Sequence, residues 1–185
     1  MTTKFFQLMC DVESMGKKSD AAVVSIGAVF FDLDTCTLGP TFLQTIHLGS
    51  AVSAGGTMDP GTVLWWRGQS DEARKGIRFG GRAINVVLQE FSSWISETCR
   101  HADVRPWGNS DFFDIQKLES AYERCEITQP WFWTNCRDFR TVRNMNPQVE
   151  YDFKSKGDDA HNALHDAIFQ AEHLLAIKRS KQRAL

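Results

Sequence analysis

Four short stretches of this sequence carry side chains able to hold a cation or move a proton. They are CDVESMG with Asp11 and Glu13, GNSDFFD with Asn109 and Asp114, RDFRT with Asp138 and Arg140, and HNALHD with His161 and Asp166. Asp11 and Glu13 stand one residue apart, directly after the apolar run 5–9. On a strand, that spacing sends both carboxylates to one side of the sheet. A half-buried pair of like charges titrates abnormally unless something positive sits between them. His161 precedes Asp166 by five positions, which on an ideal helix is about 500° of rotation and leaves the side chains roughly 140° apart. The spacing therefore predicts His161 in the loop ahead of a helix and Asp166 about one turn inside it. Asp11, Glu13, Asp114 and Asp166, with no cysteine among them, form a hard oxygen-ligand set suited to Mg²⁺ or Mn²⁺. Two such ions about 3.5–4 Å apart would neutralise the cluster and clamp both sides of a phosphodiester under in-line attack.

The elements that must position these residues follow from the hydrophobic pattern. Residues 5–10 read as a strand that runs out at the two carboxylates, 21–31 as a second strand, apolar on both faces, and 41–49 as a third. DLDT at 32–35 and Gly39-Pro40 supply turn chemistry, so 5–49 is predicted to be an antiparallel meander. Residues 50–62 read as a loop, and PGTVLWWRGQSDEARKGI as one or two short helices. Ile84, Val87, Leu88, Phe91, Trp94 and Ile95 recur at helical spacing and predict an amphipathic helix over about 82–98. A short strand at 102–109, a helix at 113–124 and a long helix at 161–179 complete the chain, with an irregular stretch before the last. The predicted fold class is α/β: a mixed sheet, meander first and parallel strands after, flanked by helices. In such sheets, strand and helix ends converge on one rim, where the four carboxylates would meet.

Composition narrows the setting. The 185 residues suit a single domain, with a core over about 5–175 and a basic tail at about 178–185. Cys10, Cys36, Cys99, Cys125 and Cys136 are odd in number and lack C-x-x-C spacing, which argues against zinc or a disulfide framework and for a reducing cytoplasm. The expectation is of no signal peptide and no membrane span. With a net charge of −2, nucleic-acid contact would have to be local rather than spread over the whole surface.

DVE after an apolar strand, GNSDFFD, and H-x4-D in HNALHD together resemble the three motifs of the DEDDh 3′–5′ exonucleases, which share a ribonuclease-H-like fold. VVSIGAVFFD, MDPGTVLWWRGQSDEAR and RDFRT are similar to the branch holding mycobacterial-type exoribonucleases, phage exonuclease A and prophage exonuclease VIII-like domains. The likeness spans about residues 5–175. It implies removal of nucleoside 5′-monophosphates from the 3′ ends of single-stranded or 3′-overhanging RNA or DNA. Two ions, Mg²⁺ or Mn²⁺, would be held by Asp11, Glu13, Asp114 and Asp166, with His161 as the base for the attacking water. The position before Asp166, often acidic in the relatives, is His165 here, which makes the local field less negative.

Around this centre the substrate candidates are Ser14, Met15, Trp66, Asn109, Asp138 and Arg140. Ser14 and Met15 follow the D-x-E pair, where the resemblance suggests backbone and wedge contacts. Trp65 and Trp66 point about 100° apart on a helix, so one belongs to the core and the other is a stacking platform or further packing. Arg137, Asp138 and Arg140 read either as phosphate and ribose contacts or as an ion pair locking their loop. Trp131–Trp133 read as packing or as an interface, which leaves a homodimer open. Two other readings compete with the exonuclease: a hydrolase of short oligonucleotides or signalling nucleotides, and a non-catalytic nucleic-acid-binding domain on the same fold. Spacing does not separate RNA from DNA.

Overall fold

The computed structural model describes residues 5–71, 74, 81–110, 112–151 and 161–183. Its sheet has the order β3-β2-β1-β4-β5, with β1 Gln7–Ser14, β2 Val23–Asp32, β3 Thr37–Thr45, β4 Arg105–Gly108 and β5 Arg137–Asp138. β1, β2 and β3 are antiparallel to one another, while β4 pairs parallel to β1 and β5 parallel to β4. The α-helices that lie wholly within the described residues are α1 Leu48–Ser53, α2 Pro60–Arg67, α3 Ile84–Thr98, α4 Asp114–Arg124, α5 Phe139–Asn144 and α6 Ala163–Arg183. The mixed sheet flanked by helices is the predicted class. Among the described residues, no helix is long and apolar enough to cross a membrane.

Alternation along β1 and β2 divides the core into two layers. Leu8, Cys10, Val12, Ile26, Ala28 and Phe30 pack with Leu88 and Phe91 of α3 and Leu118 of α4 on one face. Met9, Val29 and Phe31 pack with Ala167, Ala171, Leu174 and Leu175 of α6 on the other. Asp11 and Glu13 share the parity of Met9, so β1 presents both carboxylates on the α6 side.

Several boundaries differ from expectation. β1 continues through Ser14 instead of ending before the carboxylates, because Asp11 and Glu13 remain paired with Gly27 and Ser25 of β2. Gly39-Pro40 is not a turn but lies within β3, an edge strand, where a missing N–H is tolerated on the open side. The turn itself is 33–36, closed by Asp32 Oδ1 accepting from the amides of Asp34 and Thr35 at 2.6 and 2.9 Å. The expected loop at 50–62 holds most of α1, whose His47 cap accepts from Ser50 N, and the start of α2. β5 and α5 fall in the stretch read as irregular, since two residues of strand and six of helix are too short to show a period. Most of the DEARKGI segment lies outside the described residues.

The placement of α6 rests on one glycine. A Cβ at Gly27 would come within 2.1 Å of Ala163 C and Leu164 N, backbone atoms that cannot swing away. Gly27→Ala must therefore lift the start of α6 from the sheet. The expected cost is at least about 3 kcal/mol, at the upper end for overpacking, read as a lowered urea midpoint with an unchanged slope. A midpoint equal to that of the unsubstituted protein would show that this contact does not hold the helix.

Candidate active site

The β1–β4 ladder ends at Met9↔Trp107, so beyond it the edge of β1 that faced β4 is open. Asp114, first residue of α4, fills that gap: its Oδ1 accepts from Val12 N at 3.3 Å and its Oδ2 from Ser110 N at 3.4 Å. Gly108 makes room, because a Cβ there would stand 3.0 Å from Asp114 Cβ. From the other side, α6 brings in Asp166. Asn162 starts this helix, its Oδ1 accepting from Leu164 N at 3.1 Å and His165 N at 3.3 Å.

Asp11, Glu13 and Asp166 each offer a carboxylate oxygen, and these oxygens lie within 4.8 Å of one another. Asp114 stays outside this trio, bonded beside it to the amide between Asp11 and Glu13. All four line one cleft of about 800 Å³. Its walls include Trp65, Asn109, Arg140, Arg143 and His161. Three converging carboxylates, with the buried oxygens Asn109 Oδ1 and Gln170 Oε1 lacking partners among the described residues, fit a hard divalent cation.

His161 stands two residues before α6 with φ of 69°, in the left-handed region where histidine is uncommon. Its ring meets Trp65 edge-on at 4.8 Å between centroids and Trp66 at 6.0 Å. His165 is exposed and does not line the cleft.

The substrate candidates divide. Ser14, Trp66, Asn109 and Arg140 line the cleft, and Arg140 N is tied to Asn109 O at 3.0 Å. Trp66, however, is the core member of its pair, 4 % exposed, with Nε1 donating to Ser14 O at 3.1 Å. The accessible ring is Trp65, 45 % exposed. Met15 does not line the cleft, and its side chain is buried in the α3–α4 layer of the core. Asp138 does not line the cleft either, and its carboxylate caps α5, accepting from Thr141 N at 2.6 Å. Arg137 does the loop-locking, donating to the carbonyls of Thr134 and Cys136. Trp131 is buried, whereas Phe132 and Trp133 are exposed.

Two residues at the site were passed over in the sequence. Gln170 donates from Nε2 to Asp11 Oδ1 at 2.8 Å; the available signal was its position one helical turn after Asp166. Lys117 is wholly buried, donates to Phe113 O at 3.4 Å and lies over the Phe113 ring. Burial pushes its ammonium down to about 8, against the pull of Asp114 and Asp11. The signal was a lysine one turn after Asp114 on an otherwise apolar helix face.

The sequence profile of the Rv2179c-like 3′–5′ exoribonuclease domain matches residues 6–178. The chain belongs to that family. Membership makes it a hydrolase of the 3′–5′ exonuclease class. An exodeoxyribonuclease of Enterobacteria phage T4 is 26 % identical over 215 aligned residues, covering 97 % of this chain and 91 % of the relative. Among solved structures, E. coli exonuclease I with a dT13 oligonucleotide superposes with a TM-score of 0.70 at 15 % identity, covering 96 % of this chain and 42 % of that one. A zinc-bound form of E. coli exonuclease I with single-stranded DNA gives 0.67 at 15 % identity, covering 98 % and 42 %. These matches show the shared ribonuclease-H-like fold, and this chain spans less than half the length of exonuclease I.

Burial pushes the Asp114 carboxyl up to about 6, against the opposing pull of the Val12 and Ser110 amides and of Lys117. A raised value means that Asp114 favours the folded state most below its ordinary value near 3.8, and that this contribution is lost as pH rises through about 6. In chelator, the stability advantage of Asp114→Asn over the unsubstituted protein is therefore expected to grow between about pH 4 and pH 7. Melting curves at a series of pH values check this; a gap that does not change with pH would contradict the burial argument.

Proposed function

We propose that this chain is a metal-dependent 3′–5′ exonuclease that releases nucleoside 5′-monophosphates from single-stranded or 3′-overhanging RNA or DNA. The observation that carries the reading is the meeting of Asp11, Glu13 and Asp166 oxygens within 4.8 Å, from two separate elements, in a cleft that also holds His161. The packing of α6 on β1 and β2 holds these like-charged groups together.

Asp11, Glu13 and Asp166, with Asp114 alongside, would hold Mg²⁺ or Mn²⁺. Bound there, the ions would neutralise the scissile phosphate and make water a better nucleophile at neutral pH. The remaining work belongs to the chain. His161, outside the ligand set, accepts the proton of the attacking water, a task suited to an imidazole. Arg140 and Arg143 line the cleft and offset phosphate charge. Trp65 presents a half-exposed ring beside His161 on which a base can stack. The five cysteines are free thiols in the structure, in keeping with work in the cytoplasm.

Matched RNA and DNA strands labelled at the 3′ or the 5′ end test the reading. The 3′ label should appear at once as a mononucleotide, with the 5′-labelled strand shortening stepwise. Chelator should abolish the reaction and Mn²⁺ or Mg²⁺ restore it, while a closed circle should survive. Cleavage of circles, or full activity in chelator, would contradict the proposal.

Substitution separates the roles. Asp11→Ala, Glu13→Ala or Asp166→Ala should each abolish turnover without unfolding the protein; near-normal rates in two of them would place the site elsewhere. His161→Ala should lower kcat by roughly 10²–10⁴-fold, flatten the acid limb of the pH–rate profile, and leave Mn²⁺ affinity close to unchanged. If His165→Ala were the damaging change and His161→Ala the mild one, the base would be misassigned.

A further inference from the structure

Gln170 is a polar side chain set where an apolar one would be expected. It lies on the sheet-facing side of α6, flanked in the helix by Ala167, Ala171 and Leu174 of the core layer, and is only 5 % exposed. Its amide is half used. Nε2 donates to Asp11 Oδ1 at 2.8 Å, and Oε1 is buried with no protein partner among the described residues. The amide orientation is not arbitrary, because an ionised carboxylate only accepts and so requires the nitrogen to face Asp11. Oε1 is thereby left as an acceptor in the cleft wall that Gln170 helps to form. A buried acceptor left without a partner destabilises the fold, so a structural role alone would favour a leucine or methionine here.

We infer that Gln170 is a positioning residue for the cation site. Its donor fixes the rotamer of Asp11, and its free acceptor receives an O–H donor that arrives with the occupied site. Gln170 and Asp166 are one helical turn apart on the same face of α6. One helix thus supplies the carboxylate that meets Asp11 and the amide that aims it, so a hydrogen bond joins β1 and α6 across the site that would hold the ion. Without the amide, Asp11 loses a donor that holds it toward Glu13 and Asp166. Ordering it again would then be charged against ion binding. Groups that orient ligands in this way typically change metal affinity by 10–100-fold when removed.

The inference rests on the metal reading of Asp11, and the experiment separates the two. Mn²⁺ is titrated into metal-free protein, without nucleic acid, and followed by calorimetry and by the electron paramagnetic resonance signal of the free ion. The unsubstituted protein is compared with Gln170→Met, which keeps the stem and removes both polar atoms, and with Gln170→Asn, which keeps the amide but falls one methylene short. Both variants are expected to bind Mn²⁺ at least about tenfold more weakly while melting, in chelator, within a few degrees of the parent. Dissociation constants within twofold of the parent would overturn the inference, as would a fall in metal-free melting temperature with affinity unchanged. If Gln170→Met does not fold, Gln170→Asn decides alone by the same criterion. Absence of saturable Mn²⁺ binding in the unsubstituted protein would defeat the metal reading itself, a result distinct from equal binding by parent and variants.

Discussion

The backbone of α6 lies on the backbone of β2 at Gly27, closer than any side chain would allow. Much of the site follows from that contact. Gly27 is the register partner of Asp11, so the helix reaches the sheet beside the first carboxylate. Asp166 lies three residues after Ala163, where the helix touches the sheet, and Gln170 one turn further. Alanines at 167 and 171 keep the helix low as it runs on over Met9 and Val29. A larger residue at Gly27 would separate the two elements whose carboxylates must meet.

Bringing these groups together creates an electrostatic problem that the protein handles by dividing them. Asp11, Glu13 and Asp166 are only partly buried and face a cleft where a cation can enter. Asp114 is almost fully buried, and its charge is met by backbone amides and by the buried ammonium of Lys117 nearby. That amide contact exists because β4 is short: its ladder with β1 stops at Met9, and the Val12 N–H would otherwise lack a partner. An interrupted ladder becomes the seat of a carboxylate.

The meander, the mixed sheet and the long helices were legible because their periods are long and regular, as in the spacing of Ile84, Val87, Leu88, Phe91 and Ile95. The carboxylates were legible because D-x-E and H-x4-D keep their spacing in the chain. What escaped was set by tertiary context. Which of Trp65 and Trp66 turns inward depends on the Ser14 carbonyl, far away in sequence. That Asp138 caps a helix was hidden because the helix that follows it has only six residues, too few to show a period. Gln170 and Lys117 are unremarkable letters until their burial beside Asp11 and Asp114 is seen.

The central claim is that these strand and helix ends form a cation centre, and Mn²⁺ seen directly in the folded protein tests it best. Crystals grown with Mn²⁺ should show anomalous scattering peaks in the cleft, coordinated by carboxylate oxygens of Asp11, Glu13 and Asp166. Mn²⁺ bound only elsewhere, or none in the cleft of a protein that still degrades nucleic acid under the same conditions, would contradict the account.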